Sequence, residues 1–429
     1  MSRYSKSLWT RRRLLGTGAA ALAAPVIAPR RAWAQANEIR VGWVSPTTGP
    51  IAAFGAADDY IIGALESRFA EGVTINGTTY PVRLIRRDSQ SNANRAAEVA
   101  SQLILEDEVH LMLSSSTAET VLPVTDQCEL MEVPSLSTDT PWDSFFFGRG
   151  GDPAVGFQWT YHFFWGASQI VDSYVSLWDQ IATNKKVGMV LGNDADGVAL
   201  SNPQVGMGAL IAAKGYEIVD VGLVEVMADD YSAQIRQLKD AGCDIVTGAM
   251  IPPDWATFWT QSAQQGFRPK AATIAKALLF PSAIEAIGDA GIGLSTEIWW
   301  SPNHPYPSSL TGQSSRDIAD TYTARTGAQW IQPMGYKHAL VEGMFDVLSR
   351  CADPTDPGAM VEAIRTTNMT TLVGPVAFTG TPVPNACATP VVGGQWIKGT
   401  ATPYDLMICE NAAAPEIAVQ GAFTALPGA

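Results

Sequence analysis

From Glu38 onward the chain alternates between short β-branched runs and longer stretches in which apolar residues recur at helical spacing. A short apolar or alternating run predicts a strand, and recurrence every three to four residues predicts an amphipathic helix. On this basis strands are predicted at 39–44, 82–86, 110–113, 187–191, 218–221 and 244–248. Helices are predicted between them at 57–70, 93–106, 118–132, 168–181, 203–214, 231–241 and 254–265. Strands that alternate with helices long enough to cross over a sheet predict an α/β fold with mostly parallel sheets. Two stretches break the rhythm. Residues 142–156 mix aromatic side chains with turn formers, and residues 299–307 hold Pro302, Pro305 and Pro307, which exclude a regular helix. Both are expected to be passages between two lobes. Further helices are predicted at 313–326, 336–350 and 357–366, followed by a Gly/Pro-rich tail with strands at 373–378 and 404–408.

The first 34 residues read differently. Arg11-Arg12-Arg13-Leu14-Leu15 precedes an apolar Ala/Gly-rich run of about 13 residues and an Ala32-Trp33-Ala34 cleavage pattern, the order of a removable export signal with twin-arginine character. That run is short of the roughly 20 residues a membrane helix needs. Its removal takes away seven basic and no acidic residues. Twenty-one basic residues then face 42 acidic ones, a balance that disfavours nucleic acid and anionic membrane surfaces as partners. A hydrophobic content of 46% over so long a chain supplies more than one core.

Five cysteines, Cys128, Cys243, Cys351, Cys387 and Cys409, are too few and too scattered for a disulfide framework or a zinc site. Cys387 and Cys409 flank a turn-rich segment and are a candidate pair in an oxidising compartment, with buried free thiols as the alternative. The four histidines show no metal-binding spacing, and no phosphate-binding glycine loop or nucleophile elbow is present. No catalytic residue, metal or cofactor is therefore expected, although carboxylate-only catalysis leaves no such trace.

What the chain does offer is hydroxyl-rich turns at strand ends. Ser114-Ser115-Ser116-Thr117 leads into a predicted helix, where free backbone N–H groups favour a polar or anionic ligand. Helix capping needs only one of these hydroxyls. A second set, Ser135, Ser137, Thr138 and Asp139, is expected to follow the next strand and lie beside the first at the carboxyl edge of one sheet.

These features together resemble the type I periplasmic binding proteins of the leucine/isoleucine/valine-binding kind, which serve ABC importers of branched-chain amino acids, amides and urea. The likeness begins at the strand and Thr48-Gly49-Pro50 turn that lead to Phe54. It continues through Ser114–Thr117, the stretch Asn193-Asp194-Ala195-Asp196-Gly197, and Ile251-Pro252-Pro253-Asp254. It implies two Rossmann-like lobes joined by three hinge crossings, the third near 372–376. The implied organisation is an export signal at 1–34, a first lobe from 35–152 and 301–374, and a second from 153–300 and 375–429. It implies a periplasmic protein, a monomer, that captures an amino acid, amide or carboxylate and delivers it to an inner-membrane permease. Carried over by position, Ser114, Ser115, Ser116, Thr117, Ser137, Thr138 and Asp139 form the clamp of the first lobe and Phe54 an aromatic wall. Asp194, Asp196 and Met250 approach the ligand from the second lobe. One departure stands out. Where amino-acid-binding members carry a carboxylate for the ligand's ammonium, this chain reads Thr273-Ile274-Ala275-Lys276, and a lysine there implies an anionic or carbonyl-bearing ligand. Aromatic residues at Phe54, Trp142 and Trp299 suit a flat one. The competing readings are a periplasmic hydrolase on the same frame and a sensory module for a membrane receptor.

Overall fold

The computed structural model describes residues 38–428; the expected export signal lies outside them. The strands at the centre of each sheet read as continuous apolar or small-residue runs because both of their faces are covered by helices. Every residue of Leu111–Ser115 and of Ile245–Ala249 is buried. The helices between them carry apolar stripes. Ala93–Leu105, for example, buries Ala96, Val99, Ala100 and Leu103 and starts at Asn92, whose side chain accepts a hydrogen bond from the Arg95 N–H at 3.0 Å.

The first sheet has six strands in the spatial order Ala386–Cys387, Thr160–Phe163, Ser135–Thr138, Leu111–Ser115, Ile39–Ser45 and Val82–Asp88, all parallel. The second has seven: Tyr404–Glu410, Val392–Lys398, Ser295–Ile298, Ala271–Ala275, Ile245–Ala249, Lys186–Gly192 and Glu217–Val224. Its first two strands are antiparallel additions to a parallel set. Two lobes of α/β construction follow, as the alternating pattern predicts.

The crossings differ from expectation at two of three places. Thr160–Phe163 pairs with Ser135–Thr138 in the first sheet, so the chain leaves that lobe after Phe163 and not at 142–156. The aromatic stretch there instead forms the short helix Trp142–Phe147, which folds back on its own lobe through Phe145 and Phe146. Likewise Ala386–Cys387 joins the first sheet beside His162 and Phe163, which moves the last crossing beyond 372–376. The proline-bearing stretch 299–307 follows Ser295–Ile298, a strand of the second sheet. There Gln332, from the first-lobe side, accepts from the Trp299 N–H at 2.9 Å and donates to the Glu297 carbonyl at 3.0 Å.

All five cysteines are free and buried. Cys387 lies in the first sheet and Cys409 in an edge strand of the second, so the candidate pair is not formed. Among the described residues no helix is long and apolar enough to cross a membrane.

Candidate functional site

The carboxyl ends of strands from both sheets converge on one cavity, the position at which open α/β sheets leave backbone groups and helix starts free. The first lobe contributes Phe54, Thr117, Asp139 and Pro141; the crossing after Phe163 adds Phe164 and Trp165; the second lobe adds Asp196, Leu200, Ala249, Ala275, Lys276, Leu279, Glu297 and Trp299. They line a space of about 400 Å³ that includes open solvent at its mouth. Most of the wall is apolar, and its aromatic part, Phe54, Phe164, Trp165 and Trp299, suits a flat body. Phe54 meets Phe280 of the second lobe edge to face, with ring centroids 4.9 Å apart, so the two lobes touch across the mouth.

Three residues of this wall have a left-handed backbone: Thr117 (φ 62°), Asp139 (φ 66°) and Lys276 (φ 68°). For a β-branched residue such as Thr117 that conformation is strained, on the order of 1–3 kcal/mol. Strain of this kind persists only where the surroundings hold it. Here the Thr117 N–H donates to the Asp139 carbonyl at 2.9 Å and ties the two turns together. Thr117 precedes the helix Ala118–Leu130 yet its hydroxyl makes no capping bond, and its Oγ1 is buried without a partner.

The charged groups divide sharply. Lys276 Nζ lies 2.8 Å from Asp194, 2.9 Å from Asp196 and 3.4 Å from Glu119. Glu119 belongs to the first lobe, and its other oxygen accepts from the Ala195 N–H of the second at 3.0 Å. Thr140 of the first lobe also donates to Asp196, at 3.2 Å. Burial would lower the lysine pKa, but the carboxylates of Asp196, Glu119 and Asp194 together hold it well above its ordinary value. One ammonium cannot satisfy three carboxylates equally. Burial raises the Asp196 pKa despite Lys276, whereas Glu119, though also pushed up by burial, is held low by Lys276 and by hydrogen bonds. The turn that presents Asp194 and Asp196 depends on Gly197, because a Cβ there would stand 1.8 Å from the Gly192 carbonyl oxygen.

Asp139 is the opposite case. It is 3% exposed, and neither carboxylate oxygen has a hydrogen-bond partner. Burial raises its pKa to about 7, Lys337 pulling it down and Asp58 pushing it up. Lys337 sits beneath the site, paired with Asp58 at 2.6 Å and donating to Ser45 at 2.8 Å and Ser115 at 3.0 Å. The indole N–H groups of Trp165 and Trp299 are also buried without partners. Glu297 receives both of its side-chain donors on one oxygen, Oε2, from Tyr174 and from Thr296 at 2.7 Å, while burial raises its pKa to about 7.

Of the residues expected from sequence, Phe54, Thr117, Asp139, Asp196 and Lys276 line the cavity. Asp194 stands behind Lys276 and also caps the helix Ala195–Leu200 through the Gly197 N–H at 2.8 Å. The others are used elsewhere. Ser115 receives Lys337, and Ser116 donates to Ser115 at 3.5 Å. Ser135–Thr138 is the strand itself and not a turn after it. Its hydroxyls therefore point into the sheet, Ser137 bonding Tyr161 and His162 and Thr138 the Phe163 carbonyl at 2.8 Å. Ser114 is buried in its strand, and Met250 is fully buried in the core of the second lobe. Trp142 donates to Gln169 away from the cavity. Trp165, Glu297 and Leu279 were missed; Trp165 lies just past a strand with no alternating signal, and Glu297 inside one. None of the four histidines lines the cavity.

The model of the family described as "Periplasmic binding protein" matches residues 38–398. The chain belongs to that family. Comparison with curated protein sequences gives no match. Among solved structures, the chain is similar to the leucine binding protein LivK of Thermotoga maritima at 18% identity and a TM-score of 0.70, covering 87% of this chain and 99% of that one. It is similar at 18% identity and 0.69 to a solute binding protein of an ABC transporter from Rhodopseudomonas palustris in complex with 3,4-dihydroxybenzoic acid, covering 88% and 99%. A branched-chain amino acid transporter substrate binding protein, LivJ of Streptococcus pneumoniae in complex with isoleucine, follows at 14% and 0.65, covering 86% and 99%. The type I fold of this periplasmic binding protein is thus shared at low identity. The expected two-lobed α/β architecture is borne out.

Proposed function

We propose that this periplasmic binding protein is the solute-capturing component of an ABC importer, exported to the periplasm, where its two lobes close on one small molecule and present it to a membrane permease. The observation that carries this reading is the cavity between the lobes. Its walls come from both sheets, and it holds buried polar atoms of Thr117, Asp139, Trp165 and Trp299 that no group among the described residues satisfies. A buried polar atom without a partner costs on the order of 1–3 kcal/mol, so a solute that pairs with several of them favours the closed arrangement. Contacts across the mouth, Phe54 with Phe280 and Glu119 with Lys276, supply the rest of the closing surface. Solved relatives of similar fold hold isoleucine or hydroxylated benzoates, which supports a solute of that size. The test is a thermal-shift screen against amino acids, amides, amines and aromatic acids, with calorimetry on every hit. Saturable one-to-one binding with the compound recovered unchanged is the expected result; its consumption during the titration would make the protein an enzyme on this frame.

A further inference from the structure

The charge distribution around the cavity narrows the solute class, on the reading that the cavity is where the solute binds. Among the described residues that line the cavity Lys276 is the one cation, and three carboxylates already surround it. An anionic solute would have to displace one of them, and the lobe contact made by Glu119 is the outermost. Asp139, in contrast, lines the same cavity with both carboxylate oxygens buried and unpartnered. A carboxylate accepts hydrogen bonds and has no donor of its own when ionised, so what completes it is a donor. We infer that the solute presents a neutral or cationic nitrogen donor, an amine or amide, to Asp139 and carries a flat apolar body against Phe54, Phe164 and Trp299, with any acceptor it bears meeting the unpartnered indole N–H groups of Trp165 and Trp299 and not Lys276. The lysine that by sequence implied an acid thus leads to the reverse conclusion once its neighbours are counted.

Asp139 is further suited to this role by its setting. Burial lifts its pKa to about 7 while Lys337 restrains the rise, so near neutral pH it takes an amide as readily as an ammonium. The left-handed turn at Asp139, bonded through its carbonyl to the Thr117 N–H, fixes where the carboxylate points.

The test compares three probes that share one ring: benzylamine, benzamide and benzoate, titrated calorimetrically into the protein at pH 7.5. Benzylamine and benzamide are expected to bind one to one, each at least tenfold tighter than benzoate. Asp139→Asn is expected to weaken benzylamine at least tenfold and benzamide less. As pH falls from 8 to 5, benzylamine affinity is expected to fall more steeply in the wild type than in the variant, where Glu297 and Asp196 of the same cavity still titrate. Benzoate binding as tightly as either nitrogen probe overturns the inference while leaving the solute-binding reading intact. Failure of all three probes in the wild type overturns it as well, and failure of the whole broader screen removes the underlying reading with it. If Asp139→Asn does not fold, the wild-type ranking of the three probes still decides.

Discussion

Lys276 and Asp139 face one cavity from opposite lobes, both buried and both on left-handed backbone, yet one is surrounded by partners and the other has none. Lys276 spends its charge on Asp194, Asp196 and Glu119, and because Glu119 comes from the first lobe, that spending joins the lobes. Asp139 keeps its capacity unspent at a cost to the free protein. The difference teaches that residue type at a site position does not assign a role; the neighbours that already claim the side chain do. A buried charge with partners is structure, and a buried charge without them marks where something else is meant to bind.

The contrast can be broken most severely from below. Lys337→Met strands Asp58 in a fully buried setting and removes the cation that restrains Asp139, and a loss of about 3–5 kcal/mol of stability is expected, measured by urea unfolding. A loss below 1 kcal/mol would show that the Lys337–Asp58 pair is not a buried anchor. Lys276→Met ranks next. Three carboxylates would then face one another without an ammonium, so a destabilisation of about 2–4 kcal/mol is expected at pH 8 and a smaller one at pH 5, where protonation relieves the repulsion. Equal losses at the two pH values would contradict the cluster as described.

Asp139→Asn sharpens the comparison in the other direction. The folded-state pKa of Asp139 is raised to about 7, so between about pH 4 and pH 7 the folded protein holds a proton that the unfolded chain has lost. Its contribution to stability therefore falls as pH rises through that window and is level above it. The variant is expected to be about 1–2 kcal/mol more stable than the wild type at pH 8 and close to it at pH 5, seen as a difference in melting temperature that closes on acidification. Other raised carboxyls, Glu297 and Glu342, titrate in the same range and keep their slope in both proteins. The smallest expected effects separate two hydroxyls. Thr117→Ala should leave stability within about 0.5 kcal/mol because its hydroxyl caps nothing, and Ser137→Ala should cost about 1 kcal/mol through its bonds to Tyr161 and His162. For a bound solute the order reverses.

The alternating pattern made the sheets legible because their central strands are buried on both faces. Two crossings were misplaced because the short strands Thr160–Phe163 and Ala386–Cys387 carry no periodic signal long enough to read. The site was half legible. Strand-to-helix turns pointed to Thr117 and Asp139, but treating Ser135–Thr138 as a turn gave Ser137 and Thr138 roles that their hydrogen bonds to the neighbouring strand Thr160–Phe163 already claim. Trp165 and Glu297 become visible only when strands far apart in sequence are brought edge to edge. Lys276 was found, and its meaning inverted, because the three carboxylates that neutralise it come from residues 119, 194 and 196, a juxtaposition only the closed lobes reveal.

The most direct test of the division between these two residues is a crystal structure of the protein soaked with the compound that stabilises it best. The expected result is one molecule in the cavity between Phe54 and Trp299, with a donor atom within hydrogen-bond distance of Asp139 and the Lys276 contacts to Asp194, Asp196 and Glu119 intact. A solute carboxylate seated on Lys276 with Glu119 displaced, or a molecule bound outside this cavity, would contradict it.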